Sequence, residues 1–142
     1  MTHKIKMIGL DLDGTLLTDK KELTVRTREV LAKAIRSGIV VLVATGRPWM
    51  GVPEELREFP GMNYALTSNG ARIIDTRTGN VIEEHLLSVK SAKKALEICR
   101  KYDTLQEVYF DGQGYAPAAV RGFSVLVLHE GRDHLQAVAG CT

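Results

Sequence analysis

The chain has 142 residues, 44% hydrophobic and 25% charged, which is the composition of a globular chain that folds rather than stays disordered and allows one core with at most a small appended unit. Its 19 basic and 17 acidic residues leave a net charge of +2, too weak a bias to argue for nucleic acid or a membrane surface as partner. No apolar run approaches the roughly 20 residues of a membrane helix, Met1-Thr2-His3-Lys4-Ile5 is no secretory signal, and Cys99 and Cys141 form no Cys-x-x-Cys motif, so the expected setting is soluble, reducing and cytoplasmic.

In chain order, residues 4–10 read as a β-type run that ends at Asp11. From Val25 to Ser37, Val30, Leu31, Ala34 and Ile35 fall at helical spacing, Thr24 is a candidate N-cap, and Gly38 suits the residue after the last turn. Ile39 to Ala44 is a continuous aliphatic run, the pattern of a strand buried on both faces. Pro48 and Pro53 suit first helical positions, which predicts two short helical pieces ending near Phe59. A third strand-like run, Tyr64 to Thr67, stops at Ser68-Asn69-Gly70. Strands alternating with helices predict an α/β fold with a parallel sheet and crossover helices.

All three strands finish in small polar or acidic residues, and ligands bind at the carboxyl ends of strands in open α/β sheets. Asp11, Thr45 and Asn69 are therefore expected at one crevice. Asp11 and Asp13 are two apart, so they point to the same side if the strand direction persists that far. Taken singly, Asp13-Gly14, Thr45-Gly46 and Asn69-Gly70 read as ordinary turns, and Arg47 as a solvated charge. Lys20 and Lys21, beside Asp19 and Glu22, read as a solvent-facing charge cluster.

Three motifs in this order carry a family resemblance. Asp11-Leu12-Asp13-Gly14-Thr15-Leu16-Leu17, Val43-Ala44-Thr45-Gly46-Arg47-Pro48 and Thr67-Ser68-Asn69-Gly70-Ala71 resemble the haloacid dehalogenase superfamily, and within it the Cof-type sugar-phosphate phosphatases. The resemblance is collinear over residues 4 to about 75, weaker to about 115, and fades beyond. It implies a Rossmann-like core, here its first part at residues 1–72, followed by part of an α/β cap at 73–115. Residues 116–142 are expected to be a tail without family character.

The resemblance also implies roles. Asp11 would attack phosphorus to give an aspartyl-phosphate and would bind magnesium. Asp13 would protonate the leaving alcohol, take a proton from the attacking water, and coordinate the metal through its backbone carbonyl. Thr45 would hydrogen-bond the phosphoryl group, with Gly46 beside it, and backbone N–H groups around Leu12 and Asp13 would hold its oxygens. Arg47 and Asn69 would contact substrate near the cap. The implied activity is magnesium-dependent hydrolysis of a small phosphorylated metabolite. A non-catalytic phosphate- or protein-binding fragment is the alternative, and a phosphomutase a lesser one.

Beyond Gly70, Ala71 to Asp75 and Asn80 to Glu84 read as a hairpin around Thr76-Arg77-Thr78-Gly79. Val89, Ala92, Leu96 and Cys99 fall on one helical stripe with Ser88 as cap, and Cys99 reads as an apolar contact. Leu105 to Phe110 is a strand, and Asp111-Gly112-Gln113-Gly114 a turn leading to Tyr115. After Tyr115 there is an apolar run from Phe123 to Leu128, and Asp133 matches no family motif. His129, His134 and Cys141 fit no strong zinc spacing. The later lysine and Gly-Asp motif of Cof-type proteins are absent. The expectation is a truncated or frame-altered chain, low in activity alone, whose exposed sheet edge favours self-association.

Overall fold

A computed structural model describes residues 4–102, 106–115 and 124–127. The chain divides into two compact units, the first ending at Glu84 and the second beginning at His85.

The first unit is a five-stranded sheet. Strands β1 (Met7–Leu10), β2 (Val40–Ala44) and β3 (Tyr64–Thr67) are parallel neighbours in that order, followed by β4 (Arg72–Asp75) and β5 (Val81–Glu84), each antiparallel to its predecessor. The first three strands thus send their carboxyl ends to the same edge, as the sequence predicts. The β4–β5 hairpin extends this sheet instead of starting a new one. The sheet therefore runs past residue 72, where the sequence places the end of the core.

Helix α1 (Val25–Arg36) forms the crossover from β1 to β2. The Thr24 hydroxyl accepts the Thr27 N–H at 3.1 Å, a cap worth about 1 kcal/mol. At the other end Gly38 takes φ 80°, its N–H donates to the Ile35 carbonyl, and Ile39 donates back to Ala34, which closes the helix on a residue without a Cβ penalty. Leu31 is buried in the core, and Ala34 and Ile35 pack against it. Val30 is instead 48% exposed, so the apolar stripe is narrower than its sequence suggests. The expected short helical pieces are a single turn at Trp49–Gly51 and helix α2 (Glu54–Arg57), with Pro48 and Pro53 one position earlier than expected, as caps.

Strand β2 is buried on one face, not both. Val41 and Val43 are each 1% exposed and lie in one core with Leu31, Val52, Leu56 and Ala65. Burying each such side chain is worth roughly 1.5–3 kcal/mol. Val40, Leu42 and Ala44, on the opposite face, are half-buried and outside that core. The aliphatic run looks doubly buried because every residue in it is apolar, but the one helical layer in this core covers a single side of the pleat. Strand β1 is one of the two outer strands, and Met7 in it and Ile5 just before it are largely exposed.

In the second unit, α3 (Val89–Cys99) is capped by Ser88, whose hydroxyl accepts the Ser91 N–H at 3.2 Å. Its Ala92 and Leu96 are buried with Val108 of β6 (Gln106–Phe110). Strand β6 pairs antiparallel with β7 (Gln113–Tyr115) and parallel with β8 (Ser124–Val127). The turn between β6 and β7 is tighter than expected. Asp111 and Gly112 alone occupy it, both at positive φ, and Gln113 and Gly114 already pair with β6. Cys99 is a free, half-buried cysteine. Asp133 and the group His129, His134 and Cys141 lie outside the described residues.

Candidate active site

The strand does not persist through Asp13. β1 ends at Leu10, Asp11 is still extended, and Leu12–Leu16 close one wide turn through a Leu17 N–H to Leu12 carbonyl bond of 2.9 Å, with Gly14 at φ 74°. Leu12 is fully buried while Asp11 and Asp13 are both exposed. The two carboxylates therefore stand in solvent on either side of one hydrophobic anchor. The Thr15 hydroxyl donates to Asp11 Oδ2 at 3.0 Å.

Asp13 carries the densest charge pairing among the described residues. Arg47 donates through Nε to Oδ2 at 2.7 Å and through Nη2 to Oδ1 at 2.6 Å. The Lys21 ammonium adds a 2.7 Å bond to Oδ1. These bonds, Arg47's first and Lys21's second, hold the carboxyl well below the usual aspartate range against an opposing effect of burial. Arg47 also donates through Nη1 to the Gly51 carbonyl at 2.8 Å. It is therefore no solvated charge; it ties the loop after β2 to the turn after β1.

Lys21 departs from the sequence reading in the same way. A tight turn presents it: Thr18 N–H donates to the Glu22 carbonyl at 3.0 Å, and Lys21 N–H to the Thr18 carbonyl at 2.8 Å. Lys21 sits at φ 63°, a left-handed conformation uncommon for a residue with a side chain. Nothing in Asp19-Lys20-Lys21-Glu22 separates the engaged lysine from its neighbour, because the turn conformation decides it.

Thr45 is 6% exposed at the end of β2. Its hydroxyl oxygen accepts the Arg47 N–H at 3.2 Å, and among the described residues no acceptor takes its hydroxyl proton. The Thr45 carbonyl accepts the Asn69 N–H at 3.2 Å, and the Arg47 carbonyl accepts the Ser68 N–H at 2.9 Å, so the loops after β2 and β3 are stitched together. Asn69 lies over Gly46, where a Cβ would meet Asn69 Oδ1 at 2.8 Å. Gly46 thus matters as an absence of side chain. The structure brings Asp13, Thr45, Gly46, Arg47 and Asn69 into one connected network, with Asp11 at the adjoining strand end.

Among the described residues no three His, Cys, Asp or Glu side chains gather as a metal-holding group. Magnesium commonly takes only one or two carboxylates, filling its octahedron with water and phosphate oxygens. An exposed Asp11 fits that demand. The Asp13 carboxylate, taken up by two cations, does not.

An α/β sheet that gathers two aspartates, a buried threonine and an arginine at and just beyond the carboxyl ends of its parallel strands has the arrangement of a ligand-binding α/β fold. Comparison narrows it: the family model of haloacid dehalogenase-like hydrolases matches residues 8–125, and the chain belongs to that family. The match reaches into the segment after residue 115, where β8 pairs with β6. The chain is 30% identical over 100 residues to the 5-amino-6-(5-phospho-D-ribitylamino)uracil phosphatase YcsE of Bacillus subtilis, covering 70% of this chain and 40% of that protein. It is 30% identical over 106 residues to the pyridoxal phosphate phosphatase YbhA of Escherichia coli, covering 75% and 39%. A solved haloacid dehalogenase-like hydrolase from B. subtilis superposes with a TM-score of 0.71 at 29% identity, covering 94% of this chain and 42% of that one. The chain spans between 32 and 43% of the length of the first curated relatives it matches. No helix among the described residues is long and apolar enough to cross a membrane.

Proposed function

We propose that the chain carries the nucleophilic half of a phosphatase acting on small phosphomonoesters. The observation that supports this most is the exposed Asp11 at the carboxyl end of a parallel strand, followed by the network that joins Asp13, Arg47, Thr45 and Asn69.

In this reading an Asp11 carboxylate oxygen attacks phosphorus, the ester oxygen departs, and an acyl phosphate forms at Asp11. Water then attacks that phosphorus and returns the carboxylate with release of inorganic phosphate. Thr15 orients the Asp11 carboxylate through its hydroxyl bond. The Thr45 hydroxyl donates to a phosphoryl oxygen, a donor set in place beforehand by its bond with the Arg47 amide. Magnesium, held by the Asp11 carboxylate and the Asp13 backbone carbonyl, would supply positive charge to the phosphoryl oxygens.

Asp13 has the charge state to take a proton from the attacking water. To give one to the leaving alcohol it must first loosen its bonds to Arg47 and Lys21, which hold it ionised. The two named relatives are phosphatases of different phosphate esters at the same 30% identity, which accords with a shared phosphoryl chemistry and a substrate choice made by residues that differ among them. A cytoplasmic setting and a cap role for the unit beginning at His85 accord with this reading.

The test is hydrolysis of an aryl phosphate with magnesium by the unaltered chain, Asp11→Asn and Asp13→Asn. Phenolate release that disappears in Asp11→Asn supports the proposal. Release of the same size in Asp11→Asn refutes it.

A further inference from the structure

The Lys21 ammonium is the second cation on Asp13, yet the two cations are not equivalent. Arg47 has a side chain 28% exposed, with three of its nitrogens donating to Asp13 and Gly51. Lys21 is 57% exposed, and of the three N–H donors an ammonium carries one goes to Asp13 Oδ1. Its side chain is more than half open to water, and the two cations exceed the one Asp13 carboxylate they share by one positive charge.

The backbone gives a second, independent argument. Lys21 occupies φ 63° in the tight turn from Thr18 to Glu22, where glycine or asparagine would sit with less strain. This left-handed turn residue sends its ammonium onto Asp13, and residues held in sparsely populated backbone regions cluster at ligand clamps and active sites.

We propose that Lys21 is a substrate-binding residue, an anion-capturing cation that bridges the Asp13 carboxylate and the phosphoryl group of the incoming ester. This deepens the phosphatase reading and rests on it. Lys21 can donate to a phosphate oxygen through its other N–H groups while keeping its bond to Asp13, so capture does not require the site to come apart. Its exposure makes it a first point of contact and makes its effect sensitive to salt.

The experiment titrates inorganic phosphate into the full chain with magnesium present, by calorimetry, for the unaltered protein and for Lys21→Gln, Lys21→Arg, Lys21→Gly, Lys20→Gln and Thr45→Ala. Lys21→Gln is expected to weaken phosphate about threefold to fivefold, as loss of one exposed ion pair does, with the difference fading in high salt. Lys21→Arg is expected to restore most of the affinity, and Lys20→Gln to change nothing. Lys21→Gly separates function from fold: its thermal midpoint holds or rises because strain at φ 63° is relieved, while phosphate affinity falls. Unchanged affinity in Lys21→Gln and Lys21→Gly, with Thr45→Ala weakened, overturns the role of Lys21 and leaves the phosphatase reading standing. Absence of phosphate binding by the unaltered chain overturns both.

Discussion

Arg47 grips Asp13 with two nitrogens, Nε to Oδ2 at 2.7 Å and Nη2 to Oδ1 at 2.6 Å, across 34 positions of sequence. The pair joins the turn after the first strand to the loop after the second. The same contact fixes the proton state of Asp13, so the two functions of the pair are separable by titration and by mutation.

The carboxyl of Asp13 lies well below its ordinary value, chiefly through Arg47 and then Lys21. Because its folded pKa is depressed, the pair stabilises the protein above the unfolded aspartate value of about 3.9, and that contribution is lost as pH falls toward the folded value. Both partners are partly exposed, so the contribution is below about 1 kcal/mol. Carboxyl carbon shifts followed by NMR should find Asp13 still ionised where an ordinary aspartate is half protonated. Arg47→Gln should move the midpoint up, and Arg47→Lys should do so in part, since a lysine cannot reproduce the two-nitrogen fork.

Leu12 is the residue that sets the two carboxylates apart, and it is fully buried. Leu12→Ala should destabilise the protein by about 2–5 kcal/mol in urea titration and should lower phosphate binding as well, because the turn that carries Asp11 and Asp13 loses its anchor. A stable variant with normal binding would show that the hydrogen bonds of the turn suffice.

Two glycines make a contrasting pair. At Gly61 a Cβ would meet Ile35 Cγ2 at 2.5 Å and φ is +83°, so Gly61→Ala combines backbone strain with a clash against the half-buried Ile35 side chain and should cost more than about 1 kcal/mol. At Gly46 the Cβ would meet the end of the exposed Asn69 side chain, which can swing aside. Gly46→Ala should fold with a thermal midpoint near that of the unaltered chain while displacing Asn69, detectable as a change in the Asn69 side-chain amide resonances.

Helix α1 shows what the sequence could and could not reveal. Thr24, Gly38 and the spacing of Leu31, Ala34 and Ile35 carried enough local physics to place the helix and its caps. Val30 is apolar yet exposed, because periodicity does not say how wide a face the neighbouring sheet covers. Accordingly Leu31→Ala should cost about 2–5 kcal/mol and Val30→Ala within about 0.5 kcal/mol. The parallel order of β1, β2 and β3 followed from alternating patterns, whereas the joining of the β4–β5 hairpin to the same sheet depends on pairing partners that no local pattern encodes. That Asp11, Asp13, Thr45, Arg47 and Asn69 lie close together beyond the strand ends is a placement the strand-end positions in the sequence announce. Lys21 was not legible, because its approach to Asp13 depends on a left-handed backbone angle in a turn with no glycine to announce it.

The most direct measurement is capture of the phosphoryl group itself. The chain is mixed with an aryl phosphate and magnesium, quenched in acid, digested and read by tandem mass spectrometry. One phosphoryl group on Asp11, released by hydroxylamine and absent from Asp11→Asn, is the expected result. A phosphoryl group elsewhere in the chain, or turnover with none on Asp11, would contradict the account.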